Sequence, residues 1–102
     1  MIQITLVCAG GLSTSLMVNK MKKAAELHGI ETNIVAMSAD EFLEEEYQTD
    51  ILLIAPQLSW REEELKGAFH NQIKWIQSIE MVDYGMMNGE KVLMDVLKHY
   101  QI

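Results

Sequence analysis

Apolar and polar positions alternate at the start of the chain: Ile2, Ile4, Leu6 and Cys8 fall on one side, Gln3, Thr5 and Val7 on the other. That period of two predicts a short strand. Gly10 and Gly11 interrupt it, Ser13, Thr14 and Ser15 follow, and a helical pattern begins there with Leu16, Met17, Met21, Ala24, Ala25 and Leu27 on one broad face. Gly29 stands where that helix should stop, with His28 in its last turn. Residues 31–37, with Ile34, Val35 and Met37, read as a second strand. Ser38-Ala39-Asp40-Glu41 then has the form of a capping box, Ser38 accepting from a backbone N–H and Glu41 reaching back, and opens a short acidic helix ending near Tyr47.

Ile51-Leu52-Leu53-Ile54-Ala55 is a continuous apolar run stopped by Pro56. Strands covered on both faces, as in the centre of a parallel sheet, read this way. Ser59-Trp60-Arg61-Glu62 resembles a second capping box and predicts a helix to about His70. A fourth strand is expected within residues 74–80, where Trp75-Ile76-Gln77-Ser78-Ile79 can also be drawn as helix, and Asn88-Gly89 caps a last helix with Val92, Leu93, Val96, Leu97 and Tyr100 as its apolar stripe. Strands and helices alternate with short loops, without linker or repeat. The predicted fold is α/β: a single domain over residues 1–102, a small doubly wound four-stranded parallel sheet with helices on both faces. Functional groups in such sheets gather at the carboxyl ends of the strands, beside a reversal in strand order. Here those ends are Cys8, Ser38, Pro56-Gln57 and the segment around Tyr84.

Composition narrows the function classes. Of 102 residues, 49% are hydrophobic and 23% charged, which suits a folded domain. Fifteen Asp+Glu against eight Lys+Arg give a formal charge of -7, so neither nucleic acid nor an anionic membrane surface is an expected partner. No apolar run approaches the roughly 20 residues of a membrane span, and Met1-Ile2-Gln3-Ile4 lacks the basic start of a signal peptide. With one cysteine there is no intramolecular disulfide and no multi-cysteine zinc site. A cytoplasmic domain without metal or cofactor is the expectation.

The chemistry concentrates in Cys8-Ala9-Gly10-Gly11-Leu12-Ser13-Thr14-Ser15. A thiol at a strand end is followed by a glycine- and hydroxyl-rich, P-loop-like turn and then by a helix. The unpaired amides of a first helical turn make a concave anion site, and the same amides favour a thiolate over a thiol. A phosphate cradle beside a nucleophilic sulfur suggests a phosphocysteine intermediate, although a lone cysteine ending a buried strand is often only a small core residue. Three related motifs fail on spacing. A Walker A loop requires a lysine that is absent here. A tyrosine-phosphatase loop requires an arginine six residues after the cysteine, where Thr14 stands; without it the transition-state charge rests on amides alone. A flavodoxin loop has no use for the thiol. A thiol that accepts phosphate and does not readily hydrolyse it is a carrier, with a small cysteine phosphatase and a non-catalytic regulatory module as the alternatives.

These residues resemble a known family. The C-x-G-G-L-S-T-S loop is similar to that of the IIB component of the lactose/cellobiose (β-glucoside and chitobiose) phosphotransferase system, whose members read close to C-S-A-G-M-S-T-S. Ala55-Pro56-Gln57 matches the family's small residue and Pro-Gln after the third strand, and Tyr84-Gly85 with Asn88-Gly89 matches its Tyr-Gly and Gly ahead of the last helix. Gly10 and Leu12 depart from the common Ala and Met. The resemblance implies that Cys8 accepts a phosphoryl group from a phosphohistidine on a IIA protein and passes it to a sugar bound by the membrane transporter IIC, a β-linked disaccharide such as cellobiose, chitobiose or lactose. It implies that Ala9, Gly10, Gly11, Leu12, Ser13, Thr14 and Ser15 enclose the phosphoryl oxygens, through backbone N–H groups and the three hydroxyls. Pro56, Gln57, Tyr84, Met86 and Met87, with Leu12, are the expected docking rim for IIA and IIC. A monomer in the cytoplasm, peripherally associated with the transporter, is the implied setting. The remaining features have plainer readings: Glu44-Glu45-Glu46 and Glu62-Glu63-Glu64 as solvated helix faces, His28, His70 and His99 at helix ends without a phosphohistidine role, Trp60 and Trp75 as core.

Overall fold

The computed structural model describes residues 1–9, 12–45 and 48–100. The alternating start of the chain forms β1 (Ile2–Cys8), and the other strands are β2 (Thr32–Ser38), β3 (Ile51–Ile54) and β4 (Trp75–Ser78). All pairings are parallel and the order is β2-β1-β3-β4. Among the described residues, α1 (Leu12–Leu27), α2 (Ala39–Glu44) and α3 (Glu62–Phe69) connect them, and α4 (Met81–Gly85) and α5 (Gly89–Tyr100) follow β4. A 3-10 segment, Pro56–Arg61, leads into α3.

The two faces of the sheet carry separate cores, as a doubly wound sheet requires. Ile4, Leu6, Cys8, Ile34, Ile51 and Leu53 face one way and pack with Met17, Met21 and Ala25 of α1 and Val92, Leu93 and Val96 of α5. Val7, Leu52, Ile54 and Ile76 face the other way, against Ala39 and Phe42 of α2 and Leu58 and Leu65. All four β3 residues are buried, which is why that run shows no polar alternation. Six residues are too few for α2 to be stable by propensity. Burial of Phe42, edge-on to Phe69 at 5.5 Å, contributes roughly 1.5–3 kcal/mol and holds it in place.

Three helix ends follow the predicted signals. Gly29 takes φ +66, and the bonds Ile30 N–H to Ala25 and Gly29 N–H to Glu26 close α1 as a Schellman turn. Ser38 Oγ accepts from the Glu41 N–H at 3.0 Å, and Asn88 Oδ1 accepts from the Lys91 N–H at 3.2 Å.

Several expectations are corrected. α1 begins at Leu12, so Ser13, Thr14 and Ser15 lie inside its first turns. Its buried stripe is Thr14, Met17, Val18, Met21, Ala24 and Ala25, while Leu16 and Leu27 are exposed. Ser59 does not cap a helix: it lies within the 3-10 segment, where Pro56 fixes the first turn and Leu58 leaves helical angles to reach the core. α2 ends at Glu44, and Tyr47 lies outside the described residues. Trp60 is exposed, with the Arg61 guanidinium 5.7 Å from its ring, and Trp75 is half-buried and stacked on His99 at 4.0 Å. The glutamate triplet at 62–64 is partly structural. Glu62 accepts from the Ser78 N–H at 2.9 Å and pairs with Lys66 at 2.8 Å. Burial alone would push its carboxyl up, but the bonds from Lys66 and Ser78 outweigh that and hold it below the ordinary carboxylate range.

Candidate functional site

β1 lies between β2 and β3, and its end is where strand order reverses: the chain leaves β1 over one face to reach β2, while β3 follows on the opposite side. Cys8 is the last residue of β1, opposite Ser38 of β2, and Val7 lies opposite Ile54 of β3. The Ala55 N–H donates to Val7 O at 2.9 Å, so the β3 exit is tied beside the cysteine. Cys8 is 7% exposed and its thiol donates to the Met37 carbonyl of β2, with Sγ and oxygen 3.6 Å apart. The alternation that points Ile4 and Leu6 into the α1/α5 core points Cys8 the same way, at the rim of that core.

Ala9 is exposed, and Gly10 and Gly11 lie outside the described residues. The chain is helical again by Leu12, four positions after Cys8, so the first-turn amides of α1, which have no partner within the helix, lie on the same sheet edge as the thiol. Thr14 is buried, its Oγ1 3.1 Å from the Tyr84 hydroxyl of α4, and Ser15 is exposed.

The other predicted residues separate into two groups. Gln57 is exposed and Pro56 half-buried at the start of the 3-10 segment. Met86 stands out at 77% exposure, and Met81 and Val82 of α4, which the sequence reading did not single out, are also exposed. Tyr84 is instead buried, and Met87, at φ +52, is half-buried against the α1/α5 core. Five-residue α4 is too short to leave a readable hydrophobic period, so nothing in the sequence separates its outward from its inward positions.

Arg61, the only arginine in the chain, contacts Glu64 at 3.3 Å and Asp40 at 3.7 Å on the α2/α3 side of the sheet, away from the face Cys8 points into. The histidines lie toward the opposite edge. His28 follows α1 and contacts Glu90 at 2.9 Å, His70 caps the end of α3, and His99 stacks on the first residue of β4. Among the described residues no His, Cys, Asp and Glu side chains gather as a metal-holding group, and no helix is long and apolar enough to cross a membrane.

A family model described as the lactose/cellobiose-specific IIB subunit of the PTS system matches residues 3–95. The chain belongs to this family. It is 38% identical over 89 residues to the oligo-beta-mannoside-specific EIIB component of Bacillus subtilis, covering 87% of this chain and 86% of that one. It is 40% identical over 95 residues, 88% of each chain, to the galactose-specific EIIB component of Lactococcus lactis subsp. cremoris. In three dimensions it is similar to the lactose-specific IIB domain from Streptococcus pneumoniae, with a TM-score of 0.84 over 98% of both chains at 22% identity. A cellobiose-specific IIB protein from Borrelia burgdorferi superposes with a TM-score of 0.76 over 97% of this chain and 91% of that one, at 33% identity. The protein is thus a sugar-specific EIIB component of the cellobiose/lactose type. EIIB components are phosphotransferases that transfer phosphate to sugar, and in general they work with EIIA and EIIC partners.

Proposed function

We propose that this IIB component carries its phosphoryl group on Cys8, taking it from a phosphohistidine of a IIA protein and giving it to a sugar held by a membrane IIC transporter. The observation that carries the reading is the end of β1. The chain's only thiol stands there at the strand-order reversal, four positions ahead of a helix start, in a chain matched to the IIB family. In the first step the Cys8 sulfur attacks phosphorus, the P–N bond of the phosphohistidine breaks, a P–S bond forms, and the thiol proton ends on the departing imidazole. In the second a sugar hydroxyl attacks phosphorus, the P–S bond breaks, and the hydroxyl proton returns to the thiol. Both are in-line transfers, driven by positioning and by charge stabilisation.

The backbone N–H groups of residues 9–15 receive the phosphoryl oxygens, aided by the hydroxyls of Ser13 and Ser15. Thr14, whose hydroxyl already meets Tyr84, contributes its backbone. The engagement of Arg61 with Asp40 and Glu64 favours a carrier over a phosphatase. The sugar is a β-linked disaccharide such as cellobiose, chitobiose or lactose, and the domain works as a monomer in the cytoplasm beside its transporter. Intact mass after incubation with phosphoenolpyruvate, the general phosphotransferase proteins and a IIA protein tests the reading. One phosphoryl adduct that maps to Cys8 and depends on IIA is expected; a protein that stays unmodified with every IIA offered would overturn it.

The exposed side chains of Met81, Val82 and Met86, with Gln57 and Pro56, form the docking rim for IIA in this reading. Methionine adapts its shape to a partner at small conformational cost. Replacing Met81, Val82 and Met86 together by Ser is expected to raise the KM for phosphorylated IIA about tenfold, the equivalent of one well-buried side chain, with kcat little changed. Transfer kinetics with unaltered KM would remove α4 from the docking surface.

A further inference from the structure

We infer that Tyr84 and Thr14 are a positioning pair, holding the first turn of α1 in register with Cys8 for phosphoryl transfer. The inference rests on the carrier reading above and assigns it two residues that need not touch the phosphoryl group with their hydroxyls. Thr14 is the sixth residue after Cys8 and Tyr84 comes from α4, 70 positions further along the chain. Their oxygens lie 3.1 Å apart, and the residues are 3% and 6% exposed. A hydroxyl removed from water so completely costs free energy if its partner is lost, so the pair ties the start of α1 to α4 at a fixed distance.

The anchor is itself held from several sides, although α4 has only five residues. Ile79 N–H, just before α4, donates to Ile54 O of β3 at 2.8 Å. Within α4, Asp83 pairs with Lys91 of α5 at 2.7 Å, and the Asp83 carbonyl accepts from the Asn88 N–H at 2.9 Å. The left-handed Met87 makes the turn into α5 and donates its N–H to Tyr84 O at 3.1 Å. Tyr84 thus projects from a short element fastened to β3 and α5, and it grips α1 at Thr14, within the turn whose amides are proposed to enclose the phosphoryl oxygens. In-line transfer is sensitive to such placement: a displacement of about 1 Å can cost on the order of 100-fold in rate.

The test is steady-state transfer from phosphorylated IIA, with folding of each variant checked by near-UV circular dichroism. Tyr84→Phe and Thr14→Val are each expected to lower kcat about ten- to a hundredfold, with the KM for phosphorylated IIA within about twofold of wild type. The double variant should be no slower than the worse single one, because both remove the same contact. Thr14→Ser keeps the hydroxyl and should restore most of kcat, and it decides the matter if Tyr84→Phe does not fold. A raised KM at unchanged kcat would make Tyr84 a docking residue instead, and additive effects, or failure of Thr14→Ser to recover, would dissolve the pair. Wild-type acceptance undisturbed by either single variant overturns this inference alone. A wild type that accepts nothing from any IIA overturns the carrier reading, and this inference with it.

Discussion

Cys8→Ser is expected to end phosphoryl acceptance, lowering the rate of transfer from phosphorylated IIA by at least 100-fold while leaving the fold intact. A cysteine is a few per cent thiolate near neutral pH and strongly nucleophilic as it stands, whereas a serine hydroxyl needs a base to take its proton. Supplying a positioned base is worth on the order of 10²–10⁴ in rate. Among the described residues, neither the histidines nor Glu62 is placed to serve residue 8 as that base. His28, His70 and His99 lie toward the far edge of the sheet, and the Glu62 carboxylate is bonded to Lys66 and the Ser78 N–H. The fold should survive because a serine hydroxyl can donate to the same Met37 carbonyl that the thiol meets at 3.6 Å. The check is an intact-mass time course with IIA and phosphoenolpyruvate, paired with sugar phosphorylation in membranes that contain IIC. A Cys8→Ser protein relaying phosphate at the wild-type rate would falsify the carrier role of Cys8.

How far such a site can be read from sequence depends on the range of the interactions that build it. The end of β1 was legible because its determinants are local: alternation to Cys8, glycines directly after it and a helical period soon after. The Gly29 turn and the Asn88 cap were legible for the same reason, since each rests on bonds within a few residues. The burial of Thr14 was not. A polar residue occupies a core position of α1 only because Tyr84 arrives to meet its hydroxyl, and no window of sequence holds both. Leu16 then looks like the natural core residue of that turn, yet it lies off the stripe formed by Thr14, Met17, Val18 and Met21 and faces solvent. Tyr84 and Met87 resemble surface residues in sequence for a related reason: α4 is too short for periodicity to separate their inward orientation from the outward orientation of Met81, Val82 and Met86.

Gly89→Ala is expected to destabilise the protein by about 1–3 kcal/mol, and Gly67→Ala to stabilise it by roughly 0.4–1 kcal/mol, although both exchange the same two residues in a helix. At Gly89, the first residue of α5, an added Cβ would fall 2.6 Å from Lys20 Cβ and 2.7 Å from both the Lys20 carbonyl carbon and the Met21 nitrogen of α1. Two of those atoms are backbone, so no rotamer change relieves the clash and the two helices must separate. At Gly67, within α3, the same carbon would meet nothing within 4 Å, which leaves only the gain from restricting the unfolded chain. Urea titrations should show the two midpoints moving in opposite directions at constant slope; a Gly89→Ala midpoint at or above wild type would mean that α5 does not depend on that close approach. The consequence reaches the site. The helix pushed aside carries Lys91, which holds Asp83 beside Tyr84, and the helix it is pushed from begins with the turn that follows Cys8. Gly89→Ala should therefore slow phosphoryl acceptance in folded protein as well, while Gly67→Ala, on the other face of the sheet, should leave that rate alone.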